Sequence, residues 1–439
     1  MEEDVMSQDV CRQLLDFLDA SPSCYHAAEN VAETLRAAGY EQLWEGDTWD
    51  LREQGRYFVM RGDSSVIAFR VPKRNFKGFM IAAGHSDSPT FRVREAAEAP
   101  SAGNCIRLSV EPYGGMVLRS WMDRPLSVAG RVMVRKSGKI AAKLVNVDRD
   151  LLIIPGVAIH LDREVNQGTA LKANVDMLPL FTGGKEAGGF RKLIAQAAGV
   201  EEADLLSTDL FLYPRMAGTR TGLNEEFVVS PRLDDLQCVF GCMQGFLSAK
   251  ESESVPVLAV FNNEEVGSGT RQGADSTFLT DILRRINAAM GRDEEAYLTA
   301  VANSFLVSAD NAHAVHPAHP EYADANEAPV MNGGIVIKYN ASQRYTTDAV
   351  SAAVFRQICE EAGVALQRYS NRADLPGGST LGNISTAHVS VHSVDIGLPQ
   401  LSMHSACEVA GARDAEDLVK AMTAYYSRSF SIGADGIEI

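Results

Sequence analysis

The stretch Val255-Pro-Val-Leu-Ala-Val-Phe-Asn-Asn-Glu-Glu-Val-Gly-Ser-Gly269 sets two adjacent carboxylates, Glu264 and Glu265, at the mouth of a short apolar run. The run is rich in valine and predicts a strand buried on both faces. Paired acids at such a place are costly unless a positive charge sits between or beside them, and a metal ion is the first candidate. Similar pieces recur along the chain: His85 with Asp87, Asp234 with Asp235, Asp310, and His404 in Gln400-Leu-Ser-Met-His-Ser405. Each ends a strand-like run, and in open α/β sheets ligands gather at the carboxyl ends of strands. The set holds His, Asp and Glu but no cysteine, which suits zinc, manganese or cobalt. There are too many carboxylates for one tetrahedral site, whereas two ions sharing one carboxylate would use them all.

The elements that must carry these residues follow from hydrophobic spacing. Residues 7–18 and 23–35 predict helices, the second capped by Ser23 after Ser21-Pro22. Residues 57–71 alternate as strands, and 77–83 form a second compact run that leads to Gly84-His85-Ser86-Asp87. From about residue 91 to 233 the segments are short, β-rich and punctuated by glycine, as at 106–112, 130–135 and 140–147. An α/β texture returns at Ser230, with an amphipathic helix over 236–247. Helices are also expected at 277–289, 349–362 and 414–426, and strands at 304–309, 334–339 and 390–396. The fold class is therefore α/β: a mixed sheet with helices on both faces, plus an inserted β-rich second domain. The boundaries are 1–92 and 233–439 for the catalytic domain, and 93–232 for an inserted lid or oligomerisation domain.

Composition narrows the function. A net charge of −16 with no Lys/Arg cluster argues against nucleic acid. No apolar run reaches membrane-spanning length, and the acidic start Met1-Glu-Glu-Asp lacks the order of a signal peptide. The seven scattered cysteines fit a reducing cytoplasm, and the Cys238/Cys242 pair reads as buried helix packing.

Five motifs are family-like: Gly84-His-Ser-Asp-Ser-Pro89, Pro231-Arg-Leu-Asp-Asp-Leu236, Asn263-Glu-Glu-Val-Gly-Ser268, Ser308-Ala-Asp-Asn-Ala-His-Ala-Val-His-Pro317 and Pro399-Gln-Leu-Ser-Met-His-Ser405. In this order, together with Gly114-Gly115 through Arg131, the block 154–161 and Lys338 through Tyr345, they resemble the M18 metalloaminopeptidases, the aspartyl aminopeptidase-like family. The resemblance implies a cytoplasmic, zinc-dependent protease that removes N-terminal residues, acidic ones first, from peptides. It implies two divalent ions per subunit, zinc first and manganese or cobalt as alternatives. One ion would take His85 and Asp310, the other Glu265 and His404, with Asp234 bridging and Asp235 close enough to compete. Glu264 would be the general base and Asp87 would orient His85. His313, Lys338 and Tyr345 would contact substrate, Lys338 pairing with an acidic side chain. His160 would reach a neighbouring subunit's site within a tetrahedral dodecamer built from dimers. His26, His316, His319, His388 and His392 receive no role, and the Gly377–380 turn reads as a cleft loop.

Three weaker readings remain beside this one. The aminopeptidase could prefer neutral N-termini. A dinuclear phosphoesterase would want a basic clamp, and Arg232 is the only basic residue beside a ligand motif. A non-catalytic, metal-stabilised shell would have no use for Glu264.

Overall fold

A computed structural model describes residues 2–184, 187–375 and 377–439, with only the backbone described over residues 2–9. Its centre is a nine-stranded mixed sheet. In spatial order the strands are Glu41–Leu43, Arg56–Arg61, Ser65–Arg70, Val255–Phe261, Phe79–His85, Phe305–Ala309, His392–Gly397, Ile335–Tyr339 and Leu366–Ser370. The middle four strands from Val255–Phe261 to His392–Gly397 run parallel, so their carboxyl ends lie on one edge. Every residue of Val255–Phe261 and Phe79–His85 is buried, as continuous apolar runs require. Alternate side chains feed different cores. Met80, Ala82, Leu258 and Val260 join one cluster, while Phe79, Ile81, Val257 and Ala259 join the other. Helices Leu233–Ser248, Ala349–Ala362 and Asp414–Tyr426 cover the first face, and Phe278–Ala289 and Leu381–His388 the second.

A six-stranded antiparallel sheet runs from Thr90 to Pro214, in the order Lys139–Asn146, Leu126–Lys136, Leu205–Pro214, Thr90–Ser101, Cys105–Tyr113 and Leu180–Gly183. It packs its own core, with helix Gly189–Ala198 against it. A third sheet of five short strands joins Thr219–Thr221 and Phe227–Ser230 to Glu408–Gly411, Pro399–Leu401 and Ala312–His313.

Several local expectations change. Helix Leu233–Ser248 is not amphipathic: it is buried on nearly every side, because helix Glu2–Asp19 covers its outer side, with Phe17 6.0 Å from Phe240 between ring centroids, and Asp414–Tyr426 lies close beside it on the same face of the sheet. Gly241 and Gly245 permit that approach; a Cβ on them would stand 2.5 Å from Leu418 and 2.4 Å from Met422. Ser23 precedes its helix without capping it, since its hydroxyl meets His26 Nδ1 at 2.8 Å. Helices Gly189–Ala198, Glu294–Ala302 and Leu381–His388 had no expected counterpart.

Candidate metal centre

The centre sits where the parallel strands end. His85 is the last residue of its strand, and Glu264 and Glu265 form a 3-10 turn directly after Val255–Phe261. Asp310 follows Phe305–Ala309, and its N–H donates to Ile396 O at 3.0 Å. Asp234 and Asp235 lie in the first turn of helix Leu233–Ser248, where the backbone departs from helical angles and a cis peptide joins them. They therefore enter from a helix start and do not terminate a strand. His404 lies in the turn between Pro399–Leu401 and Glu408–Gly411.

These distant residues converge. Asp234 aims one oxygen at each imidazole: Oδ1 lies 3.6 Å from His85 Nε2 and Oδ2 lies 3.4 Å from His404 Nε2. Glu265 Oε2 is also 3.4 Å from His404 Nε2. Ligand-type atoms lie within 4.8 Å of one another in three overlapping groups: His85/Asp234/Asp235/Asp310, His85/Glu264/Glu265 and Asp234/Glu265/His404. Asp235 turns Oδ2 toward the His85 N–H at 3.1 Å.

The charges test whether a cation fits. Burial pushes Asp235 and Glu265 well above the ordinary carboxyl range, raises Asp310, and lifts Glu264 to about 7. Asp234 goes the other way: burial opposes its ionisation, but His404 and His85 outweigh burial and hold it low. Burial also opposes charge on His85, yet Asp87 and its neighbouring acids raise it well above the usual imidazole value. The positive charge these acids find is thus borrowed from the two imidazoles and from Lys338 at Asp310, and it does not suffice to hold the remaining carboxyls low. Asp234 Oδ1, Asp235 Oδ1 and Glu265 Oε1 are buried without a hydrogen-bond partner. Divalent cations would give these oxygens partners and free the imidazoles to be neutral ligands, so the donor set fits.

Buried acceptors hold the centre from behind. Asp87 accepts the Glu264 and Glu265 N–H groups, both at 3.2 Å, while its backbone carbonyl meets His85 Nδ1 at 3.0 Å. Glu408 accepts the Asp234 N–H at 3.0 Å and the His404 N–H at 2.8 Å. Burial raises Glu408 to about 8. Nothing in the sequence motifs flagged Glu408; its only signal is its place four residues past His404.

A cleft of ≈ 260 Å³ opens over the centre. His313, Lys338, Tyr345, Tyr369 and the loop Gly378-Ser379-Thr380 line it. Lys338 is buried on an interior strand, with Nζ 3.7 Å from Asp310 Oδ1 and 5.5 Å from the Tyr345 ring centroid. Burial disfavours its charge, but Asp310, Tyr345 and Asp395 together overcome burial and keep the ammonium raised above its ordinary value. Burial and Lys338 together lower His313. His160 stands exposed, outside this cleft. Arg232 points away as well, donating to Leu18 O at 3.0 Å, so it offers no clamp to a phosphoryl group.

Comparison with known proteins agrees. The family model described as "Aminopeptidase I zinc metalloprotease (M18)" matches residues 17–426. The Clostridium acetobutylicum protein named "Probable M18 family aminopeptidase 2" is 43% identical over 429 residues, spanning 95% of this chain and 99% of that protein. A chain of the cryo-EM structure of the Ape4 and Nbr1 complex superposes with a TM-score of 0.93 at 35% identity, covering 96% of this chain and 86% of that one. The S. cerevisiae mApe1 dodecamer gives 0.84 at 26% identity, covering 95% and 96%. With sequence motifs, fold and acid–imidazole cluster in agreement, the chain belongs to the M18 family of zinc metalloaminopeptidases.

Proposed function

We propose that the cleft removes single N-terminal residues from peptides at a two-ion centre, with Asp234 bridging, His85 and Asp310 on one side, and Glu265 and His404 on the other. The observation that carries this reading is the pair of Asp234 oxygens, one facing each imidazole at 3.6 and 3.4 Å. Bound zinc would supply Lewis acidity to the scissile carbonyl and lower the pKa of a water. The protein's own groups do the rest. Glu264 is the general base: raised to about 7 by burial, it takes the proton of the attacking water and returns it to the leaving amine. Asp87 fixes His85 and, through two backbone hydrogen bonds, the Glu264–Glu265 turn. His313, Lys338 and Tyr345 form the wall that meets the substrate's first side chain, and its preference is acidic. Glu264→Gln should lower kcat by about 10²–10⁴-fold on aminoacyl-anilides with metal content intact. Activity unchanged in that variant removes the base assignment.

The Lys338–Asp310 contact favours a second reading, in which the ammonium is already satisfied and neutral N-termini are accepted. Asp-, Glu-, Leu- and Lys-anilides tested on wild type and Lys338→Ala decide between them. The acidic reading expects Asp-anilide kcat/KM to fall by about tenfold or more relative to Leu-anilide, since one unpaired buried charge is worth at least that. An unchanged ratio assigns Lys338 to Asp310 alone.

The proposal extends to architecture. Residues 93–232 are taken as an inserted lid and oligomerisation unit, and the assembly as a cytoplasmic tetrahedral dodecamer built from dimers. The mApe1 likeness supports this, as do Val157 (58% exposed) and Leu161 (84%) flanking His160. His160 would then complete a neighbour's cleft. Light scattering with His160→Ala tests both parts, through mass and activity.

A further inference from the structure

The two sides of the centre share Asp87 but are otherwise held by different parts of the molecule. His85 receives Asp235 and Asp87, and Asp310 receives Ile396 and Lys338, all from the mixed sheet and the segments at its edge. Glu265 and His404 are held differently. A strap of residues 113–120 leaves the antiparallel sheet at the end of strand Cys105–Tyr113 and crosses both of their turns.

The contacts come in sequence order. The Tyr113 hydroxyl donates to Asp87 Oδ2 at 2.7 Å and accepts from Asn263 Nδ2 at 2.8 Å, so it pins the start of the Glu264–Glu265 turn. Gly114, at φ +76°, lies so close that a Cβ would stand 3.1 Å from Glu265 Cβ and 3.3 Å from Glu265 O. The Gly115 backbone meets the His404 imidazole. Val117 N–H donates to His404 O at 3.0 Å, and Ser120 Oγ accepts the Ala406 N–H at 2.9 Å. His404 sits in a half-open turn, its side chain 33% exposed, where such backbone bonds decide its orientation.

We propose that residues 113–120 are a positioning strap by which the antiparallel sheet sets the affinity of the Glu265/His404 side for its ion, while the His85/Asp310 side touches the strap through Tyr113 and Asp87 but is held mainly by the mixed sheet. The inference rests on the two-ion reading. Supports of this kind, one step behind the ligands, are worth about 10–100-fold in metal affinity. Val117 allows a clean test because its φ of −79° is one that proline adopts. Val117→Pro deletes only the N–H that reaches His404, and Val117→Ala keeps it. Ser120→Ala removes the hydroxyl that accepts the Ala406 N–H beside the His404 turn, leaves Asp87 untouched, and guards against a folding failure in the proline variant.

The measurement is zinc stoichiometry and affinity by calorimetry on the metal-stripped protein, with cobalt absorption as a second signature and mass by light scattering. The expected result is two ions in wild type and in Val117→Ala. In Val117→Pro and Ser120→Ala one ion is weakened by about 10–100-fold and the other unchanged, at unchanged mass. Two ions of wild-type affinity in both of these variants overturn the strap. Equal weakening of both ions also overturns it. A wild type that takes one ion overturns the two-ion reading instead, and the strap is then judged on that ion: an affinity unchanged in Val117→Pro overturns it too.

Discussion

His85 and His404 carry the same imidazole to the same Asp234, yet their surroundings differ sharply. His85 is 1% exposed at the end of an interior strand, with buried neighbours on both sides. His404 rides a turn at φ +64°, a third exposed and held by backbone hydrogen bonds from two directions. One side of the centre is part of the hydrophobic core, and the other is assembled at the meeting of three sheets. The difference teaches that one ligand type can cost the fold very different amounts. On the proposed ligand set, removing His85 should take packing with it, whereas removing His404 should take mainly metal.

The largest effect should come from Asp234, the residue both sides share. Asp234→Ala is expected to lower kcat/KM by on the order of 10⁴-fold or more and to empty the centre by elemental analysis, because groups acting as a unit fail together. Retention of two ions would break the comparison at its root. Next come the histidines themselves. His85→Ala should abolish activity and also destabilise the chain by about 2–4 kcal/mol in denaturant melts, through the buried hole it leaves. His404→Ala should abolish activity with stability changed by less than about 1 kcal/mol. Equal losses of stability would erase the distinction. The smallest effect concerns Asp414, which anchors the entry to the Lys338 strand by accepting the Asn332 N–H at 2.8 Å and the Gly334 N–H at 3.1 Å. Burial lifts its carboxyl from 3.8 to about 7 in the folded chain. Its protonated form is therefore the stabilising one, with a contribution full below about pH 4 and lost as pH rises through 7. Melts of Asp414→Asn should show a shallower loss of stability between pH 5 and 8 than wild type, and parallel curves would remove Asp414 from the account.

The sequence was legible where burial and ligand type change abruptly. The runs ending at His85, Glu264 and Asp310 are continuous apolar strands that stop at polar residues, and the structure ends its strands there. Asp234 was harder, because its preceding strand Phe227–Ser230 is short and its carboxylate enters from a helix start. His404 lies between strands of three and four residues, too short to show any periodicity, so only the motif marked it. The supports were invisible for a different reason. Glu408 reaches back 174 positions to Asp234, and Asn263 reaches back 150 to Tyr113, distances over which no local pattern speaks. The helix Leu233–Ser248 misled because amphipathic spacing assumes one wet face, and a second helical layer removed it.

The candidate ligands are spread from His85 to His404, and no two neighbouring segments hold a complete set. During synthesis, the chain emerging from a ribosome therefore lacks His404 for more than 300 residues after His85 has been made. A product cut short before His404 would carry the candidate acids and one of the two candidate ligand histidines. On the proposed two-ion reading, activity therefore waits for His404 to leave the ribosome and join the acids.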